Sequence, residues 1–250
     1  MTVEELTIRS SIQIYQADKK IMKPEGFGTG CIVRYLGHTL LLSVSHVTND
    51  DGLTTFLETN LPPEENTTPL KPIAGLVYYD VFKVAEGMDL SDFVNLIEDK
   101  AERIDVTFAK LIEQFKLKQP AMDFGYFQIE ACDKLMLDLD DATVPDKDKT
   151  YSFYGKVRPE YQDIYLKMTP TLKNGLKFHR TNGYFHMFLA PEIINDKDDY
   201  RGCSGAPILD SEGRIVALAC KIVKNTKIVY GFSIQECMKL IKLTIDANQL

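Results

Sequence analysis

Short apolar stretches alternate with polar positions along most of this chain, and turn residues separate them. The stretches are rich in Val, Ile, Tyr, Phe and Thr, and a period of two is typical of strands that bury one face. They occupy residues 11–15, 29–35, 39–45, 75–82, 105–111, 124–129, 151–157, 162–168, 177–189, 206–209, 214–223 and 227–233. The pattern predicts an all-β architecture, either a barrel or a sandwich.

Two segments have the spacing of helices instead. Residues 89–103 gather their apolar side chains on one helical face, and this segment is interpreted as an insertion before a strand. The second helix is predicted to begin at Ser233, where Ser-Ile-Gln-Glu forms a capping-box pattern with Glu236, and to run to the end of the sequence. We expect this amphipathic helix to pack on a barrel.

A polar crossing that contains proline, at residues 116–123, separates two β-rich halves. The charged stretches at residues 62–69 and 138–149 are interpreted as loops, and the sequence has no internal repeat. We therefore predict two domains, residues 1–120 and residues 121–250.

Composition narrows the function classes. The chain has 250 residues, 44% of them hydrophobic and 26% charged, with a formal net charge of -7. This balance is that of a globular protein, and an acidic chain with scattered basic residues is not expected to bind nucleic acid. No stretch is apolar for long enough to span a membrane, and the opening residues lack a signal-peptide pattern, so a cytoplasmic location is expected.

The cysteines predict neither disulfides nor a metal site. They are odd in number and widely spaced, without a Cys-x-x-Cys pair: Cys31, Cys132, Cys203, Cys220 and Cys237. Free thiols agree with a reducing compartment, and no metal or other cofactor is expected.

The sharpest local motif is Gly-Cys-Ser-Gly at residues 202–205. A serine between glycines can occupy a tight turn that exposes its hydroxyl while backbone N–H groups converge on one point. The motif also fits a plain tight loop between strands, so other residues of the chain must distinguish a nucleophile turn from a structural loop.

A nucleophilic serine needs a base and a group that orients the base. Of the four histidines, His46 follows an apolar strand and precedes a polar stretch, a place that suits a catalytic base. His38 lies in a predicted hairpin turn, and strand alternation points His179 and His186 to opposite faces.

The orienting carboxylate must be chosen among 36 acidic residues. Asp105 opens a strongly apolar strand, residues 105–111. An acid at such a place is either the exposed start of a strand or a group held against a neighbouring histidine.

Together these pieces resemble the trypsin/chymotrypsin superfamily of serine proteases, most closely its disulfide-free intracellular and bacterial branch. The order His, Asp, Ser is that family's order. The resemblance is carried by residues 26–33, 41–47, 104–111, 202–207 and 213–219, and more weakly by residues 229–234.

The resemblance implies two antiparallel six-stranded β-barrels with a C-terminal α-helix. The first barrel would carry His46 and Asp105, and the second would carry Ser204. It also implies hydrolysis of peptide bonds through an acyl-enzyme, with the N–H groups of Gly202 and Ser204 holding the oxyanion.

Cys203 departs from the family pattern, which has Asp or Asn before the nucleophile. It cannot form the ion pair that activates zymogen-type relatives, so we expect a protease formed without cleavage of a propeptide. Its N–H is expected to help line the oxyanion hole with Gly202 and Ser204.

Three residues are candidates for contacting the substrate. Asp198 lies six residues before Ser204, as does the pocket acid of trypsin-like members, although a solvated loop is the competing interpretation. Ala219 and Lys221 lie where the family pairs with the substrate backbone, and Lys221 could favour an acidic substrate.

The sequence therefore predicts a serine endopeptidase whose partner is a protein or peptide substrate. Two alternatives stay open: a catalytically silent protease fold that acts as a peptide-binding or scaffold module, and an esterase-like hydrolase. A regulatory partner is compatible with either.

Overall fold

The computed structural model describes residues 1–18, 23–50, 52–61, 69–81, 102–112, 116–162 and 165–250. The helix predicted at residues 89–103 lies outside these ranges up to residue 101, and Glu102 and Arg103 begin a strand instead. Over the described ranges, no helix combines the length and the apolar character needed to cross a bilayer.

The N-terminal half is a curled sheet with antiparallel neighbours in the order β5-β4-β1-β2-β3-β7-β6. Its strands are β1 (Ile12–Ala17), β2 (Pro24–Tyr35), β3 (His38–Ser43), β4 (Thr54–Glu58), β5 (Leu70–Ile73), β6 (Val77–Val81) and β7 (Glu102–Lys110). Leu40, Leu41 and Leu42 of β3 are fully buried. They belong to the same apolar cluster as Ile241 near the C-terminus. The core of this half therefore extends to the end of the chain.

A connecting segment follows, with short strands only. These are β8 (Lys118–Gln119), β9 (Met122–Asp123), β10 (Gln128–Ile129), β11 (Cys132–Asp133) and β12 (Leu137–Asp138). Strand β12 pairs in parallel with β2, opposite Val33 and Arg34. The domain boundary proposed between residues 120 and 121 falls within this segment, and it stays a prediction.

The C-terminal half is a closed antiparallel barrel with the order β13-β14-β15-β18-β17-β16. Its strands are β13 (Thr150–Gln162), β14 (Tyr165–Asn182), β15 (Phe185–Leu189), β16 (Pro207–Asp210), β17 (Ile215–Ile222) and β18 (Ile228–Ser233). Tyr151, Phe153 and Phe188 fill its interior at 1% exposure or less. Large aromatic side chains suit a small barrel, because they fill its interior without a cavity.

The described residues also form three α-helices, α1 (Val3–Ser10), α2 (Ser45–Thr48) and α3 (Ile234–Asp246), and two short 3-10 helices, Leu139–Asp141 and Lys197–Asp199. Helix α3 begins where the sequence predicted it, but the Ser233 side chain makes no cap hydrogen bond, so the capping box does not form. The hydroxyl of Tyr79 in β6 donates to the Leu240 carbonyl at 2.9 Å. The last helix is thus tied to the N-terminal sheet.

The all-β prediction, with a chymotrypsin-like arrangement and a C-terminal helix, is confirmed. The second barrel has the six strands that the resemblance implied. The N-terminal sheet has more strands than six and curls without closing, as far as the described residues go.

Candidate active site

His46 and Asp105 form a hydrogen-bonded pair within the N-terminal sheet. His46 lies on α2, directly after β3, and Asp105 lies on β7, the strand that pairs with β3. The His46 Nδ1 atom lies 2.8 Å from Oδ1 and 3.0 Å from Oδ2 of Asp105. An ionised carboxylate only accepts hydrogen bonds, so Nδ1 carries the proton. The other ring nitrogen, Nε2, is then left with its lone pair as a base.

The surroundings of Asp105 favour its charged form. Burial by itself would raise the pKa of this carboxyl group, but hydrogen bonds from His46 and Ser45 outweigh burial and lower its pKa below the ordinary value. The Ser45 hydroxyl and the His46 backbone N–H donate to Oδ1 at 3.1 and 3.3 Å. Asp105 is therefore ionised at neutral pH and fixes the orientation of the imidazole.

The turn that contains Ser204 requires its two glycines. Gly202 and Gly205 have φ angles of +113° and +86°. A Cβ on Gly202 would lie 2.1 Å from the Lys156 carbonyl oxygen, and one on Gly205 would lie 2.0 Å from that of Thr29. Any side chain at either position would both strain the backbone and force the turn away from its neighbours.

Two N–H groups of this turn are available for an oxyanion. The backbone N–H groups of Gly202 and Ser204 donate to no acceptor among the described residues. The Cys203 N–H differs from our expectation, because it donates to the Tyr200 carbonyl at 2.9 Å and so cannot serve as a third donor. Only the two outer N–H groups of the turn are therefore candidates for binding an oxyanion.

The Cys203 side chain packs inside the barrel. Its residue is 3% exposed, and burial raises the pKa of its thiol to about 12. A Cβ on Gly155 would lie 2.8 Å from the Cys203 sulfur, so this glycine makes room for the thiol. A protonated and buried thiol is a poor nucleophile.

The N-terminal sheet touches the Ser204 turn through β2. Thr29 donates from its backbone N–H to the Ser204 carbonyl and from its hydroxyl to the Gly202 carbonyl, both at 2.7 Å. A Cβ on Gly28 would lie 2.5 Å from both Val47 methyl carbons and 3.1 Å from the Ser204 carbonyl oxygen. The helix that carries His46 and the turn that carries Ser204 therefore meet over Gly28.

The Ser204 hydroxyl donates to the Cys220 carbonyl at 3.4 Å. Within the described residues it has no hydrogen bond to His46. The charge of Asp105 is close enough to add to the raised pKa of the Cys220 thiol, which burial mainly causes. The structure thus joins His46 to Asp105 and joins Ser204 to Cys220, but among the described residues it does not join Ser204 to His46.

A cavity of about 370 Å³ opens beside Ser204. The three predicted substrate residues, Asp198, Ala219 and Lys221, all line it. The Asp198 side chain is 56% exposed and lies 4.0 Å from Arg201, so it is a solvated rim residue rather than a buried acid. The buried wall is apolar and consists of Phe153, Val229, Ala219 and the two cysteines at positions 203 and 220.

The described residues contain no cluster of three or more His, Cys, Asp or Glu side chains placed to hold a metal ion.

Sequence reasoning missed the roles of three residues. Thr29 and Gly28 lie in a block that the resemblance matched, but their contacts with the serine turn depend on the approach of a distant strand. Ser45 precedes the predicted base, and nothing local indicates its bond to Asp105. For Gly28 and Thr29, the only local signal was the Gly-Thr-Gly sequence of the strand, whose small residues allow another segment to approach closely.

A curled antiparallel sheet that bears a His–Asp pair, beside a closed barrel that bears a serine turn, defines the chymotrypsin-like protease fold. Two solved protease structures have a similar fold. The serine endoprotease from Yersinia pestis aligns over 98% of this chain and 67% of its own, with a TM-score of 0.52 and 11% identity. The MamO protease domain from Magnetospirillum magneticum, in its apo form, aligns over 94% and 97%, with a TM-score of 0.50 and 9% identity. No protein-family model and no curated protein sequence matches the chain.

Proposed function

We propose that this protein is a serine endopeptidase with Ser204 as nucleophile, His46 as general base and Asp105 as the residue that orients the base. The observation that carries the proposal is the 2.8 Å bond from His46 Nδ1 to Asp105, beside a turn with two unengaged N–H groups. Acyl transfer by a serine needs a base held in one tautomer and N–H groups already placed to bind the oxyanion.

The reaction begins when the Ser204 hydroxyl leaves the Cys220 carbonyl and donates its hydrogen bond to His46 instead. Its oxygen attacks the peptide carbonyl carbon, and Nε2 of His46 takes the hydroxyl proton. The N–H groups of Gly202 and Ser204 bind the oxyanion, while Asp105 stabilises the imidazolium.

The tetrahedral intermediate then collapses, and the C–N bond breaks. His46 returns its proton to the leaving amine, and the acyl group stays on the Ser204 oxygen as an ester. A water molecule, deprotonated by the same Nε2, hydrolyses the ester and restores the hydroxyl.

The cavity beside Ser204 favours an apolar side chain on the acyl side of the cleaved bond. Phe153 and Val229, each 1% exposed, form part of its wall, and an apolar group gains by leaving water there. Asp198 offers a basic side chain only an exposed carboxylate that is already beside Arg201.

Cleavage-site profiling on a peptide library tests this proposal, with wild type and Ser204→Ala compared side by side. We expect wild-type cleavage after apolar residues such as Leu, Met or Phe, at least about tenfold over Lys or Arg, and none with Ser204→Ala. Asp198→Asn serves as the matched control and should keep the preference. Cleavage after Lys or Arg that Asp198→Asn abolishes would refute the apolar pocket, and cleavage by Ser204→Ala would refute the nucleophile.

A further inference from the structure

An ion pair between the two halves of the molecule lies behind the serine turn. Glu58 ends β4 of the N-terminal sheet, and Lys156 lies in β13 of the barrel. The Lys156 Nζ atom is 2.5 Å from Glu58 Oε2, and the two side chains are 17% and 18% exposed. Such a pair is shielded from solvent, and removing one partner leaves the other charge unpaired.

Polar neighbours hold the Glu58 carboxylate in place. Asn60 donates to the same Oε2 atom at 3.3 Å, and the Tyr15 hydroxyl donates to Oε1 at 3.4 Å. The nearby Lys134 ammonium is spent elsewhere, because it donates to the Ile8 and Ser11 carbonyls and to Gln119. Lys156 is therefore the cation that is bonded to Glu58.

The backbone of Lys156 contacts the serine turn at Gly202. Its carbonyl oxygen lies so close to the Gly202 Cα atom that a Cβ there would be 2.1 Å away. The preceding Gly155 packs against Cys203, where a Cβ would be 2.9 Å from the Cys203 Cα atom. A shift of β13 at this point would thus be transmitted to the oxyanion donors.

The Glu58 side reaches the same turn through paired strands. In β4, Leu57 pairs with Ile14 of β1, and in β1, Gln13 pairs with Thr29 of β2. Thr29 binds the carbonyl groups of Gly202 and Ser204. The turn therefore contacts Thr29 from the N-terminal sheet and residues 155–156 from the barrel. The ion pair joins the strands that carry these two sets of contacts.

We propose that Glu58 and Lys156 form a positioning pair, which holds the Gly202–Ser204 turn in the geometry that binds the oxyanion. This inference rests on the proposed peptidase function, in which those two N–H groups act on the transition state. The pair does not touch substrate. Its loss should lower kcat more than it changes KM, because the oxyanion site acts on the transition state.

The test compares Lys156→Met and Glu58→Gln with wild type, and Lys239→Met, which breaks an exposed pair on α3, serves as the control. We expect kcat to fall by about 10- to 100-fold in both variants, with KM within about threefold, since a misplacement of about 1 Å costs on the order of 100-fold. The charge-swapped double variant, Glu58→Lys with Lys156→Glu, should recover part of the loss.

Amide hydrogen exchange, followed by NMR, gives a readout that does not depend on activity. The Thr29 and Gly205 N–H groups, which donate to the Ser204 and Ala219 carbonyls, should exchange at least about tenfold faster in Lys156→Met. The Leu218 amide in the barrel should keep its rate.

Variants that unfold more easily but keep kcat and the exchange rates of Thr29 and Gly205 would overturn the positioning role. A uniform rise of exchange across the barrel would overturn it as well, since that reports only global stability. If the wild type cleaves no peptide, the peptidase proposal fails, and the exchange rates still decide whether the pair holds the turn.

Discussion

The two regions that the proposed reaction needs are built in different ways. His46 lies on helix α2, directly after β3, and Asp105 lies on β7, which pairs with β3. Four hydrogen bonds fix the carboxylate. The Ser204 turn lies in the barrel, but Thr29 of the sheet binds two of its carbonyl groups. The acid–base pair is a local product of one sheet, whereas the nucleophile depends on how the two halves meet.

This difference shows which of the proposed catalytic groups already have the arrangement that the reaction needs. The proposed base, His46, already has its tautomer and orientation, and the N–H groups of Gly202 and Ser204 have no acceptor in the part of the chain that the structure describes. The Ser204 hydroxyl still bonds to the Cys220 carbonyl. In the proposed reaction the Ser204 hydroxyl must leave this carbonyl for His46, and the variants below test the base and the oxyanion site in turn.

The largest effect is expected from Asp105→Asn. An amide cannot hold the imidazole in the same tautomer, so kcat should fall by about 10⁴-fold while the fold persists. Steady-state kinetics on a cleaved peptide would measure the loss. Asp80→Asn makes the same change in an exposed ion pair with Arg103 and should alter kcat less than about twofold. Equal activity of Asp105→Asn and wild type would remove Asp105 from the mechanism.

Gly202→Ala should have the next largest effect. The new methyl group would collide with the Lys156 carbonyl, and displacing one oxyanion donor costs about 10²–10³-fold in kcat. The matched control is Gly183→Ala, because Gly183 also has a positive φ angle, +57°, but has nothing within 4 Å of a Cβ. It should lose about 1 kcal/mol of stability and keep kcat.

These two glycine variants separate the effect of backbone strain, which both share, from the displacement of the serine turn, which only Gly202→Ala causes. If both lose stability and neither loses activity, the turn does not supply the oxyanion site. Chemical unfolding and peptide cleavage, measured on the same preparations, give both quantities.

The smallest effect concerns stability at acidic pH. Because the pKa of Asp105 is lowered below 3.8 in the folded protein, the unfolded chain binds its proton at higher pH than the folded chain does. The pair's contribution is present above that ordinary pKa and is lost as the pH falls through the folded value. Wild type should therefore lose more unfolding free energy than Asp105→Asn when the pH drops from about 5 to about 3. An equal loss would show that Asp105 is not stabilised in its ionised form.

Much of this arrangement could be predicted from the sequence, because its signals are local. A histidine at the end of an apolar strand, an acid at the start of another and a serine between glycines each stand out where they lie. The contacts of Thr29, Gly28 and Lys156 with the serine turn could not be predicted, since they depend on how two separately formed sheets approach.

Two expectations drawn from local patterns do not hold. The Cys203 N–H was expected at the oxyanion site, but the Tyr200 carbonyl takes it. The Ser233 side chain was expected to cap α3, but it makes no cap hydrogen bond, and nothing in the described contacts explains why.

The most direct test is labelling by a fluorophosphonate probe, followed by peptide mapping of the modified residue. We expect a single adduct on Ser204 in wild type, none in Ser204→Ala, a labelling rate reduced at least about 10³-fold in His46→Ala, and a retained adduct in Cys203→Ala. An unlabelled wild-type protein, or a rate unaffected by the loss of His46, would contradict the claim that these side chains act together.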